Sequence, residues 1–215
     1  MTTLEQIQNS NKKYIIGIDE CGTGSLCGDV YVCAYMAPKE WMLDGLNDSK
    51  QLSEKKRNEL YNPLIGENYR EDYKVVKCHP NDKEKYKEFG DNLHGLLRYL
   101  YHTALRKFFL DYPSFWEIRE NILIVLDGNM KFSFHDVEVI SLPKADSLIP
   151  QVMAASVIGK VERDAYITKL GNKFPDYNWA KNKGYSTKEH LEALKKFGYC
   201  DEHRVSFEPI KSMVK

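Results

Sequence analysis

The sequence has no long hydrophobic run. Its apolar stretches are of strand length, and none approaches the roughly 20 residues that cross a bilayer. Residues 1–13 are polar and lack the apolar core of a signal peptide. The sequence therefore predicts a cytoplasmic protein with no membrane association.

Paired cysteines and an excess of one charge are also missing. The five cysteines form no Cys-x-x-Cys pair, and their odd number fits reduced thiols, while the histidines show no zinc-ligand spacing. The 31 basic and 31 acidic residues cancel, which argues against a broadly basic coat for nucleic acid. Between residues 160 and 196, however, there are nine Lys or Arg and only five Asp or Glu. Any contact with nucleic acid is therefore expected to be local.

Two adjacent carboxylates end the first apolar run. Residues 14–18 are typical of a buried strand, which stops on Asp19 and Glu20 and then turns through Gly22 and Gly24. Glycine lets a ligand approach the backbone closely, so this strand end presents negative charge beside accessible backbone. The pattern is typical of a divalent-metal site.

A second apolar run repeats the pattern. Residues 122–126 are followed by Asp127 and then by Gly128. If the two strands are parallel neighbours, Asp19 and Asp127 lie side by side at the carboxyl edge of one sheet, where open α/β sheets bind ligands. Asp146 opens a further apolar stretch. Carboxylates from three parts of the chain are thus expected to converge.

Clustered carboxylates repel one another unless cations or protons compensate. Their hard oxygen atoms select Mg2+ or Mn2+. Two ions about 4 Å apart support an in-line phosphoryl displacement, so phosphodiester hydrolysis is the predicted reaction class. Each acid also has a simpler interpretation: Asp19, Glu20 and Asp127 fit turns, and Asp146 fits a helix N-cap.

Five ordered motifs resemble the type 2 ribonuclease H family, which comprises ribonucleases HII and HIII. The motifs lie within residues 14–207 and occupy 19–28, 48–53, 126–129, 144–147 with 154–164, and 184–190. Their number and order make a chance match very improbable.

The resemblance implies an α/β fold, in which a ribonuclease H-like mixed β-sheet is flanked by helices and followed by a C-terminal helical extension. It implies an endoribonuclease that hydrolyses the RNA strand of RNA/DNA hybrids with Mg2+ or Mn2+ and leaves 5′-phosphate and 3′-hydroxyl ends. The family's catalytic and metal-binding acids fall on Asp19, Glu20, Asp127 and Asp146. The implied substrate contacts fall on Gly22, Thr23, Gly24, Lys50, Asn129, Lys183 and Tyr185.

One position departs from ribonuclease HII. That group usually carries Arg between the two glycines, whereas this chain has Thr23, as ribonuclease HIII does. In ribonuclease HII the segment reads the 2′-hydroxyl at an RNA-to-DNA junction, together with a tyrosine that matches Tyr185. Because Thr offers a short hydroxyl in place of a rigid fork of donors, we expect a lone ribonucleotide in DNA to be cut weakly.

The length of 215 residues suits one ribonuclease H-like domain, residues 1–215, which we expect to act as a monomer. It should comprise a polar N-terminal segment at about 1–13 and a helical, substrate-binding part at about 172–215. Local patterns predict strands near 14–20, 29–36, 73–78, 122–127 and 137–142. They predict helices from Ser53 onward and at 93–110, 148–170 and 187–197.

Two other classes of function remain open. The chain could be a hybrid-binding module with weak catalysis, or another carboxylate-metal nuclease on the same fold. Clustered negative charge next to phosphates gives a binding-only protein no advantage, and this disfavours the hybrid-binding module. The basic and aromatic segment 181–188 disfavours small-molecule substrates, because it offers phosphate contacts and a stacking ring.

Overall fold

The structure is a computed structural model, and it describes residues 2–66 and 73–214. Within these ranges one mixed sheet has the strand order β3-β2-β1-β4-β5. β1 pairs antiparallel with β2 and parallel with β4, β2 pairs antiparallel with β3, and β4 pairs parallel with β5. The strands are β1 (Tyr14–Cys21), β2 (Val30–Pro38), β3 (Tyr73–Cys78), β4 (Ile122–Asp127) and β5 (Glu138–Leu142).

Helices cover both faces of this sheet, as predicted. Among the described residues they are α1 (Thr3–Gln8), α2 (Glu54–Ile65), α3 (Leu93–Asp111), α4 (Ser114–Glu117), α5 (Pro150–Lys173), α6 (Trp179–Asn182), α7 (Lys188–Phe197) and α8 (Ile210–Met213). None of the helices in the described ranges combines the length and apolarity needed to cross a membrane.

The two faces of the sheet bury different helices. Side chains alternate along a strand, so Ile16 and Ile18 of β1 face α3 and join its buried Leu100. Gly17 faces the other way, toward α5. A Cβ atom on Gly17 would lie 2.3 Å from the backbone nitrogen of Val152, so α5 crosses β1 in direct backbone contact. The first turn of α5 is thereby fixed against the central strand.

The start of α5 differs from the predicted helix over 148–170. Pro150 occupies the first helical position and Ile149 is the N-cap residue, because proline needs no hydrogen-bond acceptor there. Asp146 lies earlier, in a single 3₁₀ turn over Ala145–Ser147. The interpretation of Asp146 as the N-cap of this helix is therefore wrong.

The C-terminal helices form a satellite core on the far end of α5. Leu26 and Ile167 pack there with Trp179, Leu194 and Ile210. This confirms the predicted helical extension, although its helices are short. The N-terminal segment holds a helix that its polar composition does not predict, and Ile7 of α1 is buried against the sheet layer.

Candidate active site

Asp19 and Asp127 lie on adjacent parallel strands. Ile18 of β1 is the register partner of Leu126 of β4, so the next residue of each strand is an aspartate at the same edge of the sheet. This confirms the juxtaposition that the two strand-end patterns predict. Glu20 follows Asp19 on β1, and its backbone N–H donates to Asp19 Oδ1 at 2.9 Å.

These acids face one cavity of about 440 Å³. Asp19, Glu20 and Asp127 line it, while Asp146 does not. Asp146 is buried beside it, and its Oδ2 atom accepts a hydrogen bond at 3.0 Å from Lys50 Nζ, which does line the cavity. The other lining residues are Cys21, Gly22, Thr23, Gly24, Ser49, Ser156, Lys160 and Tyr185.

The surroundings of the three acids that line the cavity destabilise their ionised forms. Burial, and then the charge of Glu20, raises the pKa of Asp19 well above its usual value. Burial raises the pKa of Glu20, although the hydrogen bond from Tyr101 acts against this increase. Burial and the charge of Asp146 raise the pKa of Asp127. A cation in the cavity would relieve all three carboxylates.

The donor atoms are of the chemical type that divalent ions bind. Asp127 Oδ1 is buried and has no hydrogen-bond partner, and such an orphaned oxygen needs a cation or a donor. The facing groups are carboxylates, the ligands that Mg2+ and Mn2+ prefer. They do not form a closed cage, since no three His, Cys, Asp or Glu side chains of residues 2–66 and 73–214 are grouped tightly enough to hold an ion.

The predicted substrate contacts divide into two groups. Gly22, Thr23, Gly24, Lys50 and Tyr185 line the acidic cavity. Lys183 and Asn129 do not, and this separates them from the other five. Lys183 lines a neighbouring cavity of about 420 Å³ and donates to Thr168 Oγ1 at 2.8 Å, while Asn129 is exposed.

Sequence analysis assigned no role to several residues at the site. Tyr101 donates to Glu20 Oε2 at 2.6 Å, and Lys160 lines the cavity while pairing with Asp164 at 2.8 Å. Lys160 and Asp164 lie within a motif of the family resemblance and could have been singled out there. Tyr101 lies in the apolar pattern of α3, where nothing distinguishes it from an ordinary core residue.

This chain is similar to known proteins along most of its length. The family model described as Ribonuclease HII matches residues 16–210. Ribonuclease HII of Shewanella loihica is 35% identical over 211 residues, which covers 97% of this chain and 94% of that protein. Ribonuclease HII of Campylobacter hominis is 39% identical over 193 residues, with 90% and 93% covered.

Solved structures share the fold at lower identity. Ribonuclease H2 from Pyrococcus horikoshii OT3 has a TM-score of 0.67 at 23% identity, with 93% of this chain and 96% of that chain covered. Bst-RNase HIII in complex with Mn2+ has a TM-score of 0.67 at 18% identity, with 95% and 70% covered. Because the family model spans most of the sequence and the relatives match along nearly all of it, this chain belongs to the ribonuclease HII family.

Proposed function

We propose that four carboxylates of this chain hold divalent ions, Mg2+ or Mn2+, for phosphodiester hydrolysis: Asp19, Glu20, Asp127 and Asp146. As a ribonuclease HII family member, the chain is an endoribonuclease that cleaves the RNA strand of RNA/DNA hybrids. Enzymes of this family use divalent metal ions. The observation that carries the assignment is the orphaned Oδ1 atom of Asp127, on a residue that shares a cavity with Asp19 and Glu20.

Bound divalent ions supply the activation of water and the stabilisation of negative charge on the transferring phosphate. The protein's contribution is to hold its acids at one cavity, because the paired strands of the sheet keep Asp19 and Asp127 side by side. Lys50 offsets the charge of Asp146 before substrate arrives, and because its side chain is largely exposed, the ammonium group can also donate to a phosphate. The expected products carry 5′-phosphate and 3′-hydroxyl ends.

Substrate contacts extend beyond the acidic cavity in this proposal. Tyr185 offers its ring to a sugar or a base at the cavity wall, and Gly22–Gly24 offer backbone groups. Lys183 lies in the neighbouring cavity with Arg57 and Lys169, which suits a more distant phosphate of a long substrate. Asn129 is exposed two residues after Asp127, and we assign it a contact with the RNA strand that Asp127 helps to cleave.

The deciding experiment compares cleavage of an RNA/DNA hybrid, duplex RNA and duplex DNA, with and without Mg2+. We expect cleavage of the hybrid alone and only with the metal. Asp127→Asn should lower kcat/KM on the hybrid by at least about a hundredfold, because it removes charge that organises the ions. Asp136→Asn is the matched control, since Asp136 is an exposed acid paired with Arg119 and should leave the rate unchanged.

Each alternative has a distinct outcome. Near-normal hybrid cleavage by Asp127→Asn in Mg2+ would reject the ligand assignment. Hybrid that is bound but never cut would favour the binding module. Duplex DNA cut as fast as hybrid would favour another carboxylate-metal nuclease.

A further inference from the structure

A fully buried arginine from the C-terminal part holds the loop that follows β1. The guanidinium of Arg204 donates from Nη1 to the carbonyl oxygen of Gly22 at 2.7 Å and to that of Thr23 at 3.2 Å. Its Nε donates to the carbonyl of Gly28 at 2.9 Å, and its Nη2 to that of Asp29 at 3.2 Å. One side chain thus fixes four carbonyl groups of a single loop.

Such a buried cation is costly unless its donors are satisfied. All four acceptors of Arg204 are backbone carbonyls rather than a carboxylate. Burial, and then the charge of Arg163, lowers the pKa of Arg204 to about 9, so the side chain keeps its proton at neutral pH. The loop carbonyls therefore meet a permanent fork of donors with fixed geometry.

A second buried arginine connects the same loop to Tyr185. The Cζ atom of Arg163 lies 5.2 Å from the ring centroid of Tyr185, and its Nη2 donates to the carbonyl of Lys183 at 3.1 Å. On its other side it packs on Gly22, where an added Cβ atom would lie 2.0 Å from Arg163 Nε. Arg163 thus contacts both the loop and the segment that carries the tyrosine.

Backbone hydrogen bonds complete this connection. Leu26 N–H donates to the Gly184 carbonyl, and Arg204 N–H donates to the Leu26 carbonyl, both at 2.9 Å. Gly28 N–H donates to the Glu202 carbonyl at 2.9 Å. The loop is therefore enclosed between two C-terminal segments, and its position relative to Tyr185 is fixed from behind the cavity.

The cavity side of this loop is open. A Cβ atom on Gly24 would meet no atom within 4 Å, so a sugar can approach the backbone there. An enzyme that cuts RNA but not DNA must sense the 2′-hydroxyl, which both donates and accepts hydrogen bonds. Backbone amides and carbonyls can do this if they are held in place, and Arg204 holds them.

We propose that Arg204 and Arg163 are positioning residues that fix the Gly22–Gly24 backbone and Tyr185 for ribose recognition, so that recognition does not depend on the side chain of Thr23. This inference rests on the proposed function. It replaces the expectation from sequence that Thr23 weakens cutting at a lone ribonucleotide, because the guanidinium groups are supplied from α5 and the C-terminal segment. We therefore expect duplex DNA with a single ribonucleotide to be cut at a rate that does not depend on the Thr23 side chain.

The test compares kcat/KM on two substrates, a continuous RNA/DNA hybrid and a DNA duplex with one ribonucleotide. Continuous RNA offers many equivalent registers, whereas one ribonucleotide offers a single register and depends fully on the loop. Arg204→Lys keeps the charge and loses the fork, so we expect the ratio of the single-ribonucleotide rate to the hybrid rate to fall about tenfold or more. Thr23→Ala should change this ratio less than about threefold.

Arg119→Lys is the matched control, since this half-buried arginine pairs with Asp136 away from the acidic cavity and should leave both rates unchanged. Melting curves and hybrid cleavage report whether each variant is folded. If Arg204→Lys does not fold, Arg163→Lys gives the same comparison, because it removes the contacts with Tyr185 and with the Lys183 carbonyl.

Three results would overturn the inference. The first is that Arg204→Lys lowers kcat/KM equally on both substrates. The second is that Thr23→Ala lowers the ratio of the single-ribonucleotide rate to the hybrid rate as much as Arg204→Lys does. The third is that wild-type protein cuts the hybrid but not the single ribonucleotide. Wild-type protein that cuts neither substrate would instead reject the proposed function itself. The two failures are therefore distinguishable.

Discussion

Removing one hydroxyl group next to the acids tests how the metal-binding geometry is maintained. The phenol of Tyr101 donates to Glu20 Oε2 at 2.6 Å, and its ring is buried against the edge of Phe132, with centroids 5.6 Å apart. This bond fixes the orientation of the Glu20 carboxylate and leaves Oε1 for an ion. Tyr101→Phe removes the bond and keeps the ring.

The expected loss is in metal affinity rather than in folding. Groups that orient a metal ligand typically contribute a factor of about 10–100 in metal affinity or activity. Glu20 is partly exposed, so water can replace the lost donor, and the free energy of unfolding should fall by no more than about 1 kcal/mol. The Mg2+ concentration for half-maximal hybrid cleavage should therefore rise about 10- to 100-fold, while the rate at saturating Mg2+ stays near that of wild type.

Calorimetric titration with Mn2+ measures the same change without catalysis. Tyr86→Phe is the control, because Tyr86 is equally buried and its hydroxyl donates to the Pro80 carbonyl at 2.6 Å, outside the acidic cavity. If Tyr101→Phe and Tyr86→Phe have the same Mg2+ midpoint and the same Mn2+ affinity, the hydrogen bond to Glu20 has no part in metal binding.

Three further outcomes are expected. Lys50→Ala and Lys183→Ala should each lower the slope of log affinity against log salt for the hybrid by about one, and unchanged slopes would remove them from the contacts. Tyr185→Ala should weaken hybrid binding with an unchanged slope, so a shallower slope in filter binding would contradict a stacking role. Because the pKa of Asp127 is raised in the folded state, metal-free wild type should lose stability relative to Asp127→Asn as pH rises from about 4 through that raised pKa. A constant difference in melting temperature across this window would refute the electrostatic account.

The sheet and two of its acids could be predicted because they depend on local patterns. β1 and β4 are short apolar runs that carry an aspartate at or near their carboxyl ends. The carboxyl ends of parallel neighbours meet at one edge of a sheet, and the pairing of β1 with β4 confirms this for Asp19 and Asp127. Ser53 caps α2 as predicted, since its side chain accepts the Lys56 N–H. Strand ends differ by one or two residues, as for β2, which begins at Val30 rather than at residue 29.

Asp146 is a residue whose position could not be predicted from local sequence patterns. Its sequence fits an N-cap, but Pro150 is a better start for a helix, and the intervening turn buries Asp146 beside Lys50 instead. No local signal links Lys50 and Asp146, which are 96 positions apart in the chain. The roles of Tyr101 and Arg204 could not be predicted for the same reason, because their partners Glu20 and Gly22 lie 81 and 182 positions away in the chain.

Charge is arranged in opposite ways on the two sides of the β1 end. On the cavity side, Asp19, Glu20 and Asp127 are held together although burial and mutual repulsion oppose their ionisation. Behind the loop, Arg163 and Arg204 are buried although guanidinium groups favour water. Neither arrangement is what folding alone would select, since an apolar residue of similar size costs less to bury. Both are explained if the sheet edge must attract cations while the adjoining loop stays rigid in contact with a nucleic acid. The stability lost in each place then serves the same reaction, the metal-dependent cleavage of the RNA strand.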